Sequence, residues 1–173
     1  MQFFSGFSLK DESYLFDEYI DTSEYCVCGF SYGAIKAFEE VKKRLQNLQR
    51  VDRLQLLSPA FFQTKDAKFK RLQMLSYNKS ELLYLKKFLA SCFYPHEQKI
   101  VKQVQTSSDE LNELLEYVWD IDELQKIVDA GVRLEVYIGQ KDIVIDADGA
   151  KEFFLKVADV TYIKDANHFL QIN

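Results

Sequence analysis

Apolar positions along the chain alternate between short continuous runs and longer stretches with helical spacing. The short runs contain β-branched and aromatic residues and predict five strands, at residues 1–4, 25–30, 53–58, 132–139 and 160–164. Helical spacing predicts helices between them, at residues 11–20, 32–48, 109–119, 121–130 and 146–158, the fourth ended by Gly131 as its C-cap. This alternation is typical of an α/β fold, a mostly parallel sheet of about five strands with flanking helices.

Residues 61–106 interrupt the alternation. This stretch is long, basic and helix-prone, and its sequence predicts no strand. We interpret it as a helical cap inserted over the carboxyl edge of the sheet, where doubly wound folds bind ligands, and call it the cap segment. No linker rich in proline, glycine or serine is present, so the 173 residues predict a single domain, 1–173, that contains the cap segment.

The pentapeptide Gly29-Phe30-Ser31-Tyr32-Gly33 lies between a predicted strand and a predicted helix. A G-x-S-x-G sequence in this position is typical of a nucleophile elbow, which exposes a serine hydroxyl on a sharp turn. Glycines on both sides allow the strand and the helix to approach closely. We therefore predict that Ser31 is a nucleophile, with an ordinary tight turn as the alternative for the pentapeptide alone.

A nucleophilic serine needs a base, and the chain has two histidines. His168 follows the last predicted strand, so a loop at the sheet edge can bring its ring to Ser31. His96 lies in the cap segment, where a surface or packing role is the simpler interpretation. The sequence therefore predicts His168 as the base.

The histidine in turn needs a carboxylate that orients it and stabilises its imidazolium. Asp142 follows a predicted strand and a glycine turn, and Asp146 and Asp148 are its nearest competitors. Asp146 is better placed as the N-cap of the next helix. The resulting order Ser31, Asp142, His168 is that of α/β-hydrolases.

An oxyanion hole requires two backbone N–H groups near the serine. We predict the amide of Tyr32, directly after Ser31, and the amide of Phe7, in the loop after the first strand. In that loop we expect Gly6 to supply a positive φ angle.

The composition is typical of a globular protein and argues against a membrane-spanning one. The chain has 47% apolar and 28% charged residues and a net charge of −5, with no apolar run long enough to cross a bilayer. We expect a cytoplasmic monomer with no membrane or nucleic-acid partner. Cys26 and Cys28 alternate on a predicted buried strand and are expected to be reduced core residues, and we expect no metal and no cofactor.

Charge is distributed unevenly. Residues 63–102 contain nine basic and three acidic side chains, although the whole chain is acidic. Such a stretch is typical either of a solvated helix face or of a surface that attracts an anionic partner.

Several segments together resemble the small pimeloyl-[acyl-carrier protein] methyl ester esterases of the BioV type, within the α/β-hydrolases. The likeness runs nearly from end to end of the chain. It includes Phe3-Phe4-Ser5-Gly6-Phe7, Glu12-Ser13, Leu15-Phe16, the elbow continued by Ala34-Ile35-Lys36-Ala37, Leu57-Ser58-Pro59, Phe69-Lys70-Arg71-Leu72-Gln73, Glu135-Val136-Tyr137-Ile138-Gly139, Lys141-Asp142 and Asn167-His168-Phe169-Leu170-Gln171.

The resemblance implies a minimal α/β-hydrolase that removes the methyl group of pimeloyl-[acyl-carrier protein] methyl ester in biotin biosynthesis. It implies an acyl-carrier protein as partner, and Phe7, Tyr32 and Phe61 as residues that contact the substrate. Larger relatives have a His-Gly-Trp loop where this chain has Ser5-Gly6-Phe7. The acidic carrier would dock on basic residues of the cap segment, for which we name Lys65, Lys68, Lys70, Arg71, Lys86 and Lys87.

Two other functions fit the same residues. One is a general short-chain carboxylesterase or thioesterase whose basic cap segment is only solvated. The other is a binding module that has the hydrolase fold without catalysis.

Overall fold

A five-stranded parallel sheet forms the centre of the computed structural model, which describes residues 1–173. All five predicted strands are confirmed, and their order in the sheet is β1-β3-β4-β6-β7. Two further strands of two residues each pair with one another outside this sheet. The strands are β1 (Gln2–Phe4), β2 (Leu9–Lys10), β3 (Cys26–Phe30), β4 (Arg53–Leu57), β5 (Lys102–Gln103), β6 (Arg133–Gly139) and β7 (Asp159–Ile163).

Six α-helices flank the sheet or connect its strands. They are α1 (Tyr32–Gln46), α2 (Ala67–Lys79), α3 (Glu81–Phe93), α4 (Ser108–Glu116), α5 (Ile121–Asp129) and α6 (Ala147–Phe154). None of them combines the length and the apolar character that crossing a membrane requires. Because every neighbouring pair in the main sheet is parallel, the carboxyl ends of its strands meet at one edge.

Each face of the sheet carries its own hydrophobic core, since side chains alternate along a strand. On one face Val27, Leu54 and Val136 pack with α1 in a cluster of 30 buried residues. On the other face Cys28 and Leu57 belong to a cluster of 10 buried residues. The cysteines are free and buried, and burial raises the pKa of the Cys26 thiol to about 11.

Helix α5 ends at a glycine, as predicted. Gly131 has a φ of 91° and donates its N–H to the carbonyl of Val128, while Val132 donates to Ile127. These two hydrogen bonds form a Schellman motif, in which Gly131 follows the C-cap residue Ala130.

The helix predicted at residues 11–20 is wrong in type and length. The structure has a 3₁₀ helix over Glu12–Phe16 instead. Asp11 has a φ of 61°, which is outside the α-helical region, and the Phe16 carbonyl accepts turn hydrogen bonds from Tyr19 and Ile20. Glu12 and Phe16, the first and last residues of this helix, are both buried.

The cap segment contains α2 and α3, with Asp66 and Ser80 as their N-caps. The prediction that it has no strand is wrong, because β5 lies within it and pairs antiparallel with β2. Strands of two residues are too short to produce an alternating pattern, so the sequence carries no signal for them.

Candidate active site

Ser31 lies at the turn between β3 and α1. Its backbone has φ 53° and ψ −116°, a strained conformation for a residue other than glycine. The turn is tight because both flanking glycines lack a Cβ. A Cβ at Gly29 would overlap the carbonyl of Gly33, and one at Gly33 would overlap the carbonyl of Phe4. The hydroxyl is thus held at the carboxyl edge of the sheet, and the residue is only 5% exposed.

His168 lies between Ser31 and Asp142 and hydrogen-bonds to both. Its Nε2 is 3.0 Å from Ser31 Oγ, and its Nδ1 is 2.6 Å from Asp142 Oδ2. The histidine is fully buried. With a proton on Nδ1 donated to the carboxylate, the lone pair of Nε2 faces the hydroxyl and can accept its proton.

The carboxylate of Asp142 is fixed by the loop after β6. Its Oδ1 accepts the amides of Val144 at 2.8 Å and of Ile145 at 3.3 Å. Because one oxygen is held by the backbone, the other is left for His168. The structure thus joins three predicted residues in one hydrogen-bonded chain, in which Ser31 and His168 are 137 positions apart in the sequence.

The loop that carries His168 is held by Asn167, which the sequence analysis did not identify. The Asn167 amide nitrogen donates to the carbonyl of Phe93 at 2.7 Å and to Gln171 Oε1 at 2.9 Å. Its side-chain oxygen accepts the Gln171 amide at 3.1 Å. Asn167 therefore ties the histidine loop to the end of α3. A buried asparagine beside a histidine has no spacing pattern that would have revealed this role.

The competing residues have other partners. His96 Nε2 lies 2.9 Å from the carbonyl of Asp165. Asp146 caps α6 and accepts the hydroxyl of Thr64 at 2.7 Å, a hydrogen bond that lowers the pKa of its carboxyl. Asp148 accepts the hydroxyl of Tyr162 at 2.7 Å. None of these three side chains hydrogen-bonds to Ser31 or His168.

The two predicted oxyanion donors, the amides of Phe7 and Tyr32, make no hydrogen bond within the protein. Tyr32 is the first residue of α1, so its N–H has no partner in the helix and carries the positive end of the helix dipole. The prediction that Gly6 supplies a positive φ is wrong. Ser8 has it, with φ 62°, and Gly6 is needed for space, since its Cβ would lie 2.8 Å from the ring of Phe30.

A cavity of about 580 Å³ lies between the cap segment and the sheet edge. Its lining includes Phe7 and also Val144, whose amide donates to Asp142, but not Ser31 or His168. Most of its lining is apolar, the polar part comes from glutamine, serine and lysine, and no acidic side chain lines it. A cavity with this lining can hold an apolar chain that also carries polar groups.

Two of the three predicted substrate contacts do not line this cavity. Phe61 packs in the core against Phe153 and Phe154, with ring centroids 5.4 and 6.0 Å apart, and its neighbour Phe62 lines the cavity instead. The Tyr32 ring is also buried away from it, where its hydroxyl donates to Glu113 at 2.7 Å. Burial is the first cause that raises the pKa of Tyr32. Of the three, Phe7 lines the cavity.

The basic residues named for carrier docking differ in their surroundings. Lys65 and Lys87 line the cavity, together with Lys79, which was not named. Lys70 is paired with Glu116 at 3.0 Å and its side chain is only 14% exposed, so its charge is already paired within the protein. The other three named residues are exposed on α2 and α3, and they are Lys68, Arg71 and Lys86.

No family model matches the chain, and neither does any curated protein. Solved structures do match. The naproxen esterase (carboxylesterase NP) from Bacillus subtilis has a TM-score of 0.54 and 18% identity, over 85% of this chain and 54% of that one. Bromoperoxidase from Bacillus anthracis has a TM-score of 0.62 and 12% identity, over 83% of this chain and 60% of that one. The chain has the α/β-hydrolase fold. BioG from Haemophilus influenzae has a TM-score of 0.54 and 12% identity, over 98% of this chain and 88% of that one.

These matches also show how this chain differs in size from the proteins that share its fold. The chain spans about half the length of the naproxen esterase, whereas its match with BioG extends over nearly all of both chains. No group of three or more histidine, cysteine or acidic side chains in this chain is arranged to hold a metal ion.

Proposed function

We propose that the chain is a serine carboxylesterase that hydrolyses the methyl ester of pimeloyl-[acyl-carrier protein]. The observation that carries the esterase part is the buried hydrogen-bonded chain from Ser31 through His168 to Asp142. Charge developed on the imidazole during attack would be stabilised by a carboxylate 2.6 Å away. The hydroxyl lies on a strained turn directly before the free Tyr32 amide, as acyl transfer requires, and we assign the free Phe7 amide as the second oxyanion donor.

The steps of the reaction follow from these contacts. Ser31 Oγ attacks the ester carbonyl while His168 Nε2 takes the proton of the hydroxyl. The tetrahedral oxyanion then accepts hydrogen bonds from the Phe7 and Tyr32 amides. The intermediate expels methoxide, which leaves as methanol with the proton from His168. Water then attacks the pimeloyl-serine ester with His168 again as base, which releases the free carboxylate and regenerates the serine.

Three observations support the carrier-bound substrate. The sequence resembles the BioV-type esterases, and the fold matches BioG over nearly the whole of both chains. The cavity beside Phe7 is mainly apolar and has three lysines in its lining, which suits an acyl chain on an anionic phosphopantetheine arm. Exposed basic residues lie on α2 and α3, the helices that also contribute to the cavity lining, and would offer opposite charge to an acidic carrier protein.

A comparison of two substrates tests this proposal. We expect kcat/KM to be at least ~100-fold higher for pimeloyl-[acyl-carrier protein] methyl ester than for dimethyl pimelate, which has the same ester without the carrier, because remote contacts add binding energy. Equal values would favour a general carboxylesterase. Failure of a fluorophosphonate probe to label Ser31 in the native protein, together with no hydrolysis of either ester, would favour a binding module without catalysis. Complementation of a biotin auxotroph lacking its own esterase gives an independent check.

Charge reversal on the cap segment tests the docking surface. We expect Lys68→Glu with Lys86→Glu to lower kcat/KM for the carrier-bound ester about tenfold at low salt, and less at high salt, because exposed charges act mainly on encounter. Hydrolysis of dimethyl pimelate should stay unchanged.

The matched control makes the same two charge changes away from the cap segment, at Lys43 near the end of α1 and at Lys156 after α6, both exposed. An equal loss in the control, or no loss in the cap variant, would contradict docking on this surface.

A further inference from the structure

Glu12 is a buried carboxyl group beside the loop that carries the Phe7 amide. It lies in the 3₁₀ helix and is completely inaccessible to solvent. One of its oxygens, Oε1, accepts the N–H of Gly6 at 2.7 Å. The other, Oε2, is buried without a hydrogen-bond partner. The reaction steps described above do not use this group.

This carboxyl group is costly for the fold. Burial raises the pKa of Glu12, and hydrogen bonding, first of all from the Gly6 N–H, opposes that effect only in part. The charged residue that acts on it most is Asp11, another acid, which raises the pKa further. A buried acid with no basic partner destabilises a protein. Its presence is therefore better explained by what it holds than by its own contribution to stability.

The hydrogen bond from Gly6 to Glu12 holds one end of the turn at residues 6–9, and other hydrogen bonds hold the rest of this turn. The Gly6 carbonyl accepts the Leu9 amide at 3.1 Å, and the Ser8 carbonyl accepts the Val104 amide from the cap segment at 2.9 Å. Between them the Phe7 ring packs against Tyr77 and other aromatic rings. With both polar groups of Gly6 engaged, the next amide, Phe7 N–H, is left free within the protein.

We propose that Glu12 is a positioning residue for the oxyanion hole. Its carboxyl group holds the Gly6 amide, and this keeps the neighbouring Phe7 N–H in place to donate a hydrogen bond to the tetrahedral oxyanion. The inference rests on the proposed esterase function. The carboxyl group touches no reacting atom and acts only through the backbone of the loop. Its effect should therefore appear in the transition state, where the oxyanion forms, and hardly in the binding of the ester.

Three variants at this position separate geometry from charge. Glu12→Ala removes the acceptor, and Glu12→Asp keeps the carboxyl but shortens its reach by one methylene. We expect both to lower kcat on dimethyl pimelate about 10- to 100-fold with KM within about twofold, since a displaced amide loses much of its value. Glu12→Gln retains an acceptor of the same length and is expected to keep most of kcat. The rate of fluorophosphonate labelling of Ser31 should follow kcat in all three.

Glu135→Ala is the matched control. Glu135 is another buried carboxylate, bonded to Gln55 at 2.9 Å and to Arg133 at 3.0 Å on the sheet face, and it has no contact with the loop. We expect this variant to lose stability in urea while kcat stays within about twofold of wild type, because it leaves the oxyanion donors in place.

The outcomes distinguish this inference from the proposed function. If the wild-type chain hydrolyses no ester and its serine is not labelled, the proposed function fails. If the wild type is active and a folded Glu12→Asp or Glu12→Ala has the same kcat, the positioning role alone is overturned. A loss of kcat in Glu12→Gln as large as in Glu12→Ala would also overturn it.

Discussion

An Asp142→Asn protein is expected to fold like the wild type and to hydrolyse its ester about 10⁴-fold more slowly. An asparagine oxygen can still accept the Val144 and Ile145 amides that hold this side chain, so the loop keeps its anchor. The amide nitrogen would then face Nδ1 of His168 as a donor. The imidazole would have to carry its proton on Nε2, where it can no longer accept the proton of Ser31.

The measurement is kcat at pH 7 with urea unfolding of the same samples. Asp148→Asn is the matched control, since Asp148 is six residues away, exposed, and bonded only to Tyr162. The control should retain normal turnover. Near-normal turnover in Asp142→Asn would instead move the acid role to Asp146 or Asp148.

The sequence predicted those elements whose place in the fold is reflected in a local pattern of apolar residues. A buried parallel strand is a continuous apolar run, and a crossover helix has an apolar face, so each could be recognised by itself. Parallel order then brings the carboxyl ends of the strands to one edge. For this reason the residues that follow β3, β6 and β7, namely Ser31, Asp142 and His168, could be expected to meet before any contact was known.

Features that depend on one neighbour in space could not be predicted in this way. Phe61 and Phe62 are adjacent, chemically identical and both buried, and only the positions of α6 and α2 decide that Phe62 lines the cavity and Phe61 does not. Gly6 was linked to a positive φ, yet its requirement comes from the ring of Phe30, 24 positions away. Glu12 and Asn167 act through backbone groups, which leave no trace in the type of the residue they hold.

The second large expected effect is a loss of stability when Gly33 is replaced. Gly131 provides the comparison, because a glycine is needed there for a different reason. At Gly33 a Cβ would overlap the backbone carbonyls of Phe4 and Ser5, which are parts of the sheet edge and cannot move like a side chain. At Gly131 a Cβ would meet nothing within 4 Å, and only its φ of 91° disfavours a side chain. We expect Gly33→Ala to lower the free energy of unfolding by more than about 4 kcal/mol, and Gly131→Ala by about 1 kcal/mol.

Urea unfolding followed by circular dichroism measures both changes, and Gly131→Ala serves as the control for the general cost of replacing a glycine. The strain at Gly33 also has a consequence for catalysis, since α1 would have to move away from β1 and take the Tyr32 amide with it. Fluorophosphonate labelling of Ser31 in any folded Gly33→Ala should therefore be slower than in Gly131→Ala. If Gly33→Ala unfolded at the urea concentration of the wild type, the close approach of β1 and α1 at the elbow would be wrong. The position of the oxyanion donor on that helix would be wrong with it.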